Sequence, residues 1–176
     1  NNDELVATFG NLVHRVLTMV SRNFEGQVPS HQGLDELDRG LLDQASQRFE
    51  ETSARIEACR FRLALQSPMA LAQAANRYLD QKAPWKTIDS NRDAAAATLW
   101  TALATINCLK TLLHPFLPFS TEKLHQVLGF QGTVQEAGWH WQSDALEPGQ
   151  PIAKCGPLFT KLDEKIVEQE TQRLAQ

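Results

Sequence analysis

Apolar residues recur at three- and four-residue intervals through most of the chain. Near the start they occupy Leu5, Phe9, Leu12, Val13, Val16, Leu17 and Val20. That is the spacing of one helix face, and it predicts a helix over residues 3–24. The stretch "EGQVPSHQG", residues 25–33, interrupts it with turn-forming residues. The stripe resumes at Leu37, Leu41, Leu42, Ala45, Phe49, Thr52 and Ile56, predicting a second helix from residue 34 or 35 to 59.

A third helical segment covers residues 60–79 but contains Pro68. Proline inside a helix removes an N–H and clashes with the preceding turn, at a cost of about 3 kcal/mol. Either the helix kinks there, or it restarts with Ser67 as N-cap and Pro68 at the first helical position. The restart is the favoured expectation. "DQKAPWK", residues 80–86, closes the segment. Ser90 and Asp93 have the spacing of a capping box ahead of an Ala- and Leu-rich run to about residue 114. "HPFLPF" stops that run, Ser120 is expected to cap a short helix to about residue 128, and Gly129 to end it. Residues 130–160 carry glycines, prolines, Trp139 and Trp141 without a helical period, and residues 161–174 read as a closing helix. No strand pattern or repeat is visible. The fold class expected is all-α: an antiparallel bundle of about five helices over residues 1–129. An irregular tail and closing helix, 130–176, fold back on it as part of one domain.

A length of 176 residues suffices for one domain with a real core. At 42% hydrophobic and 22% charged the composition is that of a globular protein. No apolar run reads as long enough to span a bilayer, so no membrane partner is expected, and no signal-peptide pattern is visible. The chain starts at Asn1 inside a predicted helix, and reads as a piece of a longer protein. Cys59, Cys108 and Cys155 are odd in number, far apart and in no C-x-x-C pair. That points to a reducing, cytoplasmic compartment rather than a disulfide framework or a zinc site. The five histidines show no metal-ligand spacing. A net charge of −4 argues against binding a duplex through phosphate neutralisation alone. Any nucleic acid would be met through a local patch and base contacts.

One polar pair stands out. In "FGNLVHRVL", residues 9–17, Asn11 and Arg15 lie one helical turn apart on an otherwise apolar segment. Taken singly, each residue has two readings. Asn11 bonds a neighbouring helix or backbone, or reads a ligand. Arg15 is solvated or pairs with a carboxylate on the next helix, or contacts a ligand. Trp85, after Pro84, is a hydrophobic lid on a helix end or a stacking surface.

Three stretches in order, "GNLVHR", "ANRYLDQKAPW" and "LLHPFLPFSTEKL", followed by "GPLFTKLDEKIVE", carry a resemblance over almost the whole chain. The sequence resembles the helical anticodon-binding domain of class I aminoacyl-tRNA synthetases, and within that group the methionine–tRNA ligase family. The resemblance implies that Asn11 and Arg15 contact the first anticodon base, cytosine, and that Trp85 stacks against the anticodon loop. It also implies a tRNA with a CAU anticodon as partner. A catalytic domain of the same longer protein would use ATP and magnesium for aminoacylation.

The chemistry is apt. A guanidinium donates in a fixed fork to the acceptors N3 and O2 of cytosine, and an Asn can accept from the exocyclic amine or donate to O2. Uracil would leave polar groups unpaired, at about 1–3 kcal/mol each. Splayed loop bases stacked on aromatics are read in this way. His14, Arg22, Lys82 and Lys86 are candidate phosphate contacts. Asn76 and Tyr78 read as structural, an inter-helix hydrogen bond and a packed ring with a wet hydroxyl, and Trp100 as core. No H-x-G-H, K-M-S-K-S or Gly-rich phosphate loop appears, and no carboxylate pair suited to acid–base work. No catalytic centre is therefore expected in this chain. The alternatives are the same domain of a cysteine, leucine or valine synthetase, or a helical protein-interaction bundle without RNA binding, which the acidic balance would suit.

Overall fold

A computed structural model describes residues 2–159 and 171–173. The expected closing helix, 161–174, lies outside the described residues except at 171–173, which are helical. The first helical stretch is not one α-helix. Asn2–Gly10 is π-helical and runs directly into α1 (Asn11–Asn23). Gly10 permits the join: a Cβ there would stand 3.1 Å from the Phe159 ring and 3.2 Å from the Leu5 carbonyl oxygen. The wide turn and the approach of Phe159, whose ring centroid is 6.0 Å from that of Phe9, both need its bare backbone. α1 buries Leu12, Val13, Val16, Leu17 and Val20.

α2 (Glu36–Glu57) opens on a reciprocal capping box. Asp35 Oδ1 accepts from the Leu37 and Asp38 amides, and Asp38 Oδ2 accepts from the Asp35 amide at 2.8 Å. α3 (Phe61–Lys82) passes through Pro68 without a break, which corrects the expected restart. Ser67 does not cap a new helix. Its buried hydroxyl donates to Glu51 at 2.7 Å and accepts from Arg55 at 2.7 Å, and the same Arg55 nitrogen donates to the Leu63 carbonyl at 2.8 Å. Contacts from α2 brace the turn before the proline and offset its local cost.

A left-handed Ala83 and the one-turn α4 (Pro84–Thr87) lead to α5 (Arg92–Leu113). The N-cap of α5 is Asn91, whose side chain accepts from the Ala94 amide at 3.1 Å, not the expected Ser90–Asp93 box. Ser90 donates to the Thr87 carbonyl and Asp93 accepts from the Gln32 amide. Every α5 residue from Ala95 to Leu113 is buried, Trp100 among them. By length and composition α5 would cross a membrane, contrary to the reading that no run suffices; its apolar window lies wholly inside the protein, as in a core helix.

α6 (Pro118–Val127) starts at its proline, with Ser120 inside the helix rather than capping it. Gly129, at φ +84, ends it as expected. α7 (Val134–Ala137) is a single turn with a Thr133–Glu136 capping box in the stretch expected to be irregular. The tail then returns over α5 and α2. Leu146 and Ile152 enter the core. Trp141 donates to the Ala104 carbonyl at 3.0 Å and Trp139 to Ser53 at 2.7 Å. Among the described residues the only β pairing is an isolated bridge between Gln27 and Pro151, so the architecture is all-α.

Candidate nucleic-acid interface

With the core face of α1 turned inward, Asn11, His14 and Arg22 are exposed and Arg15 is half-buried. The end of α3 meets this edge. Ala83 adopts φ +42, which stops α3 at Lys82, and Pro84 restarts the chain in a new direction. That turn sets Trp85 against α1. The Arg15 guanidinium carbon lies 5.2 Å from the Trp85 ring centroid, and its Nη2 donates to Asp80 Oδ1 at 2.8 Å. Trp85 remains 45% exposed.

A buried polar anchor holds the end of α3 to the start of α2. Tyr78 donates to Asp38 Oδ1 at 2.6 Å. Its hydroxyl is therefore inside, not wet as expected, and the residue is 6% exposed. Burial, and then the Asp38 carboxylate, push its ionisation well above the usual phenol range. Lys82 Nζ sits 2.5 Å from Asp35 Oδ2 and 2.9 Å from Asp38 Oδ1, and its side chain is 11% exposed. Burial alone would lower its pKa, but the hydrogen bonds and charges of the two aspartates hold it above the ordinary lysine value. Asp35 is held below the usual carboxylate range by Lys82 and two backbone amides, against the opposing effect of burial. Asn76 donates to the Thr8 carbonyl at 3.1 Å, the inter-element bond expected of it.

Arg15 spends one of five guanidinium N–H groups on Asp80. That pair is water-screened, Asp80 being 64% exposed, so it is worth at most about 1 kcal/mol and rearranges easily. An exposed indole face, a guanidinium held over it and an amide one turn away that has no partner among the described residues suit a planar heteroaromatic with a hydrogen-bonding edge.

The family model described as the anticodon binding domain of methionyl tRNA ligase matches residues 28–176. The chain belongs to this family. A methionine–tRNA ligase of Roseiflexus sp. (strain RS-1) is 43% identical over 98% of this chain and 33% of its own length. One from Dehalococcoides mccartyi (strain ATCC BAA-2266 / KCTC 15142 / 195) is 45% identical over 99% of the chain and 31% of its own. The crystal structure of Mycobacterium tuberculosis methionyl-tRNA synthetase bound by methionyl-adenylate superposes with a TM-score of 0.82 at 26% identity, over 90% of this chain and 32% of that one. The chain thus spans about a third of the length of these relatives.

For this anticodon-binding domain, the structure brings Arg15 and Trp85 into contact and leaves Asn11 exposed on the same edge. His14 and Arg22 are exposed on α1, and Lys86 on α4. Lys82 is not available in the same sense, its ammonium being committed to two carboxylates. Sequence reasoning missed Asp80, Asp35 and Asp38. The D-x-x-D spacing of Asp35 and Asp38 was a legible capping signal; nothing local marked Asp80 as the partner of Arg15. Among the described residues no group of His, Cys, Asp or Glu is placed to hold a metal ion.

Proposed function

We propose that this domain reads the anticodon loop of methionine tRNA, CAU, and positions the tRNA for ATP- and magnesium-dependent aminoacylation by a catalytic domain of the same longer protein in the cytoplasm. Asn11 and Arg15 take the Watson–Crick edge of the first anticodon base, and Trp85 provides the stacking face. The observation that carries this is the Arg15 guanidinium 5.2 Å from a half-exposed Trp85 ring. Hydrogen-bond donors and a stacking surface already adjoin one another, so little side-chain ordering remains to be done on binding. His14, Arg22 and Lys86 supply positive charge around the loop. Lys82 acts indirectly, by fixing the end of α3.

Family membership favours methionine tRNA over the cysteine, leucine and valine alternatives, and favours RNA over a protein partner. The test is a titration with anticodon stem-loops carrying CAU, UAU and GAU at two salt concentrations. CAU should bind best. Trp85→Ala should weaken it by about 5- to 150-fold, the worth of one stacked base, and Arg15→Ala should remove the preference for CAU over UAU. Equal affinity for all three loops would refute base reading.

A further inference from the structure

A cleft of about 200 Å³ opens beside the C-terminal half of α1, where that helix meets residues 153–155. Its polar lining includes Thr18, Ser21 and Arg22 from α1 and Lys154 from the returning tail, with no carboxylate among the described residues. Among the described residues neither Arg22 nor Lys154 forms an ion pair, so neither charge is already neutralised there by a carboxylate. The two cations line one concavity in a chain whose net charge is −4. The wall that carries Lys154 is fixed by backbone bonds. The Ala153 amide donates to the Val127 carbonyl at 2.9 Å and the Ile152 amide to the Gly26 carbonyl at 2.7 Å. A guanidinium, an ammonium and two hydroxyls around a cleft of this size form a donor set for a tetrahedral oxyanion.

Its placement says which oxyanion. Asn11, Arg15, Thr18 and Arg22 follow one another at intervals of four, three and four, so they form a single line along α1. Arg22 lies about 10 Å along the axis from Arg15. A strand whose base rests on Trp85 would carry its sugar–phosphate backbone along that line toward the cleft. We infer that the Arg22–Lys154 cleft seats a backbone phosphate of the bound RNA strand, adding sequence-independent affinity to the base reading at Arg15 and Trp85. This rests on the function proposed above. Lys154, from a tail that would otherwise only pack on the bundle, thereby becomes part of the interface.

The test uses the intact protein that carries this chain, with Lys154→Gln and Lys154→Arg, and stem-loops with CAU and UAU across a salt series. Lys154→Gln should weaken both loops by the same factor, roughly two- to fivefold. It should also reduce the slope of log affinity against log salt by about 0.7, the signature of one lost single-strand phosphate contact. Lys154→Arg should restore both. Trp85→Ala should weaken binding while leaving the slope, since the indole neutralises no phosphate. Unchanged affinity and slope in Lys154→Gln, with the CAU preference intact, overturns the phosphate seat and leaves the base reading standing. A changed CAU-to-UAU ratio in Lys154→Gln also overturns it, since the lysine would then read a base. Failure of the unaltered protein to prefer CAU overturns the reading on which both rest.

Discussion

Replacing Lys82 with methionine tests the anchor that holds Trp85 in place. Met keeps most of the aliphatic stem and removes the ammonium. Asp38, 1% exposed, would keep only the Tyr78 hydroxyl and the Asp35 amide as partners. Breaking a buried pair by deleting one member costs about 3–5 kcal/mol, because the remaining charge is stranded. The second partner, Asp35, is 57% exposed on its side chain, so its share of the pairing adds little. A loss of about 3 kcal/mol at pH 7 is expected, a fall of roughly 6–12 °C in Tm for a chain of this size.

The pH dependence identifies the cause. In the wild type, against the opposing effect of burial, the two aspartates hold Lys82 above the ordinary lysine value in the folded state. The stability this adds is full below the unfolded lysine value of about 10.4 and is lost as pH rises through the folded one, so the deficit of the variant is full at pH 7 and shrinks above about pH 10. Urea unfolding at pH 7 and pH 11, with Asp35→Asn as a control that keeps the cap, measures both effects. A deficit below 1 kcal/mol that is the same at both pH values would refute the account and make Lys82 an ordinary surface cation. A full deficit should come with weaker stem-loop binding, since Trp85 stands three residues beyond Lys82.

Three further predictions follow from backbone geometry and burial. Cys59 holds φ +56 after α2 with an exposed side chain; Cys59→Gly should stabilise by about 1 kcal/mol and raise Tm by about 2–4 °C in a thermal melt. Gly129 has φ +84 and a Cβ there would meet the Pro151 carbonyl oxygen at 2.5 Å; Gly129→Ala should cost about 2–4 kcal/mol in urea unfolding and loosen the tail. Lys110 is buried, with Asn107, His125 and the Phe130 ring about its ammonium, and burial, opposed in part by the Glu122 charge, lowers its pKa to about 8. Between that value and the unfolded one the unfolded chain binds more protons. Wild-type stability relative to Lys110→Met should therefore rise by up to about 3 kcal/mol from pH 7 to pH 10, and a flat difference would show the amine to be solvated.

The amino-acid order by itself determined the helices, because their signal is local: the three- and four-residue spacing of apolar side chains survives whatever the helices pack against. It also determined the family, through motifs distributed along the chain, and the candidate pair of Asn11 and Arg15, whose shared face follows from helix geometry alone. Tertiary structure decided what depends on distant partners. Pro68 stays inside α3 because Arg55 and Glu51 of α2 bond the turn before it. Asn91 caps α5 instead of its neighbour Ser90 because the backbone places its side chain at the Ala94 amide, and the two residue types are near-equal candidates for that position. Lys82 was legible as a cation but not as a buried one; Asp35 and Asp38 lie more than forty residues away, and only folding brings a charge and its counter-charge together out of water. The meeting of Arg15 with Trp85 is of the same kind. Seventy residues separate them, and their contact is set by the left-handed turn at Ala83 and the packing of α3 beside α1.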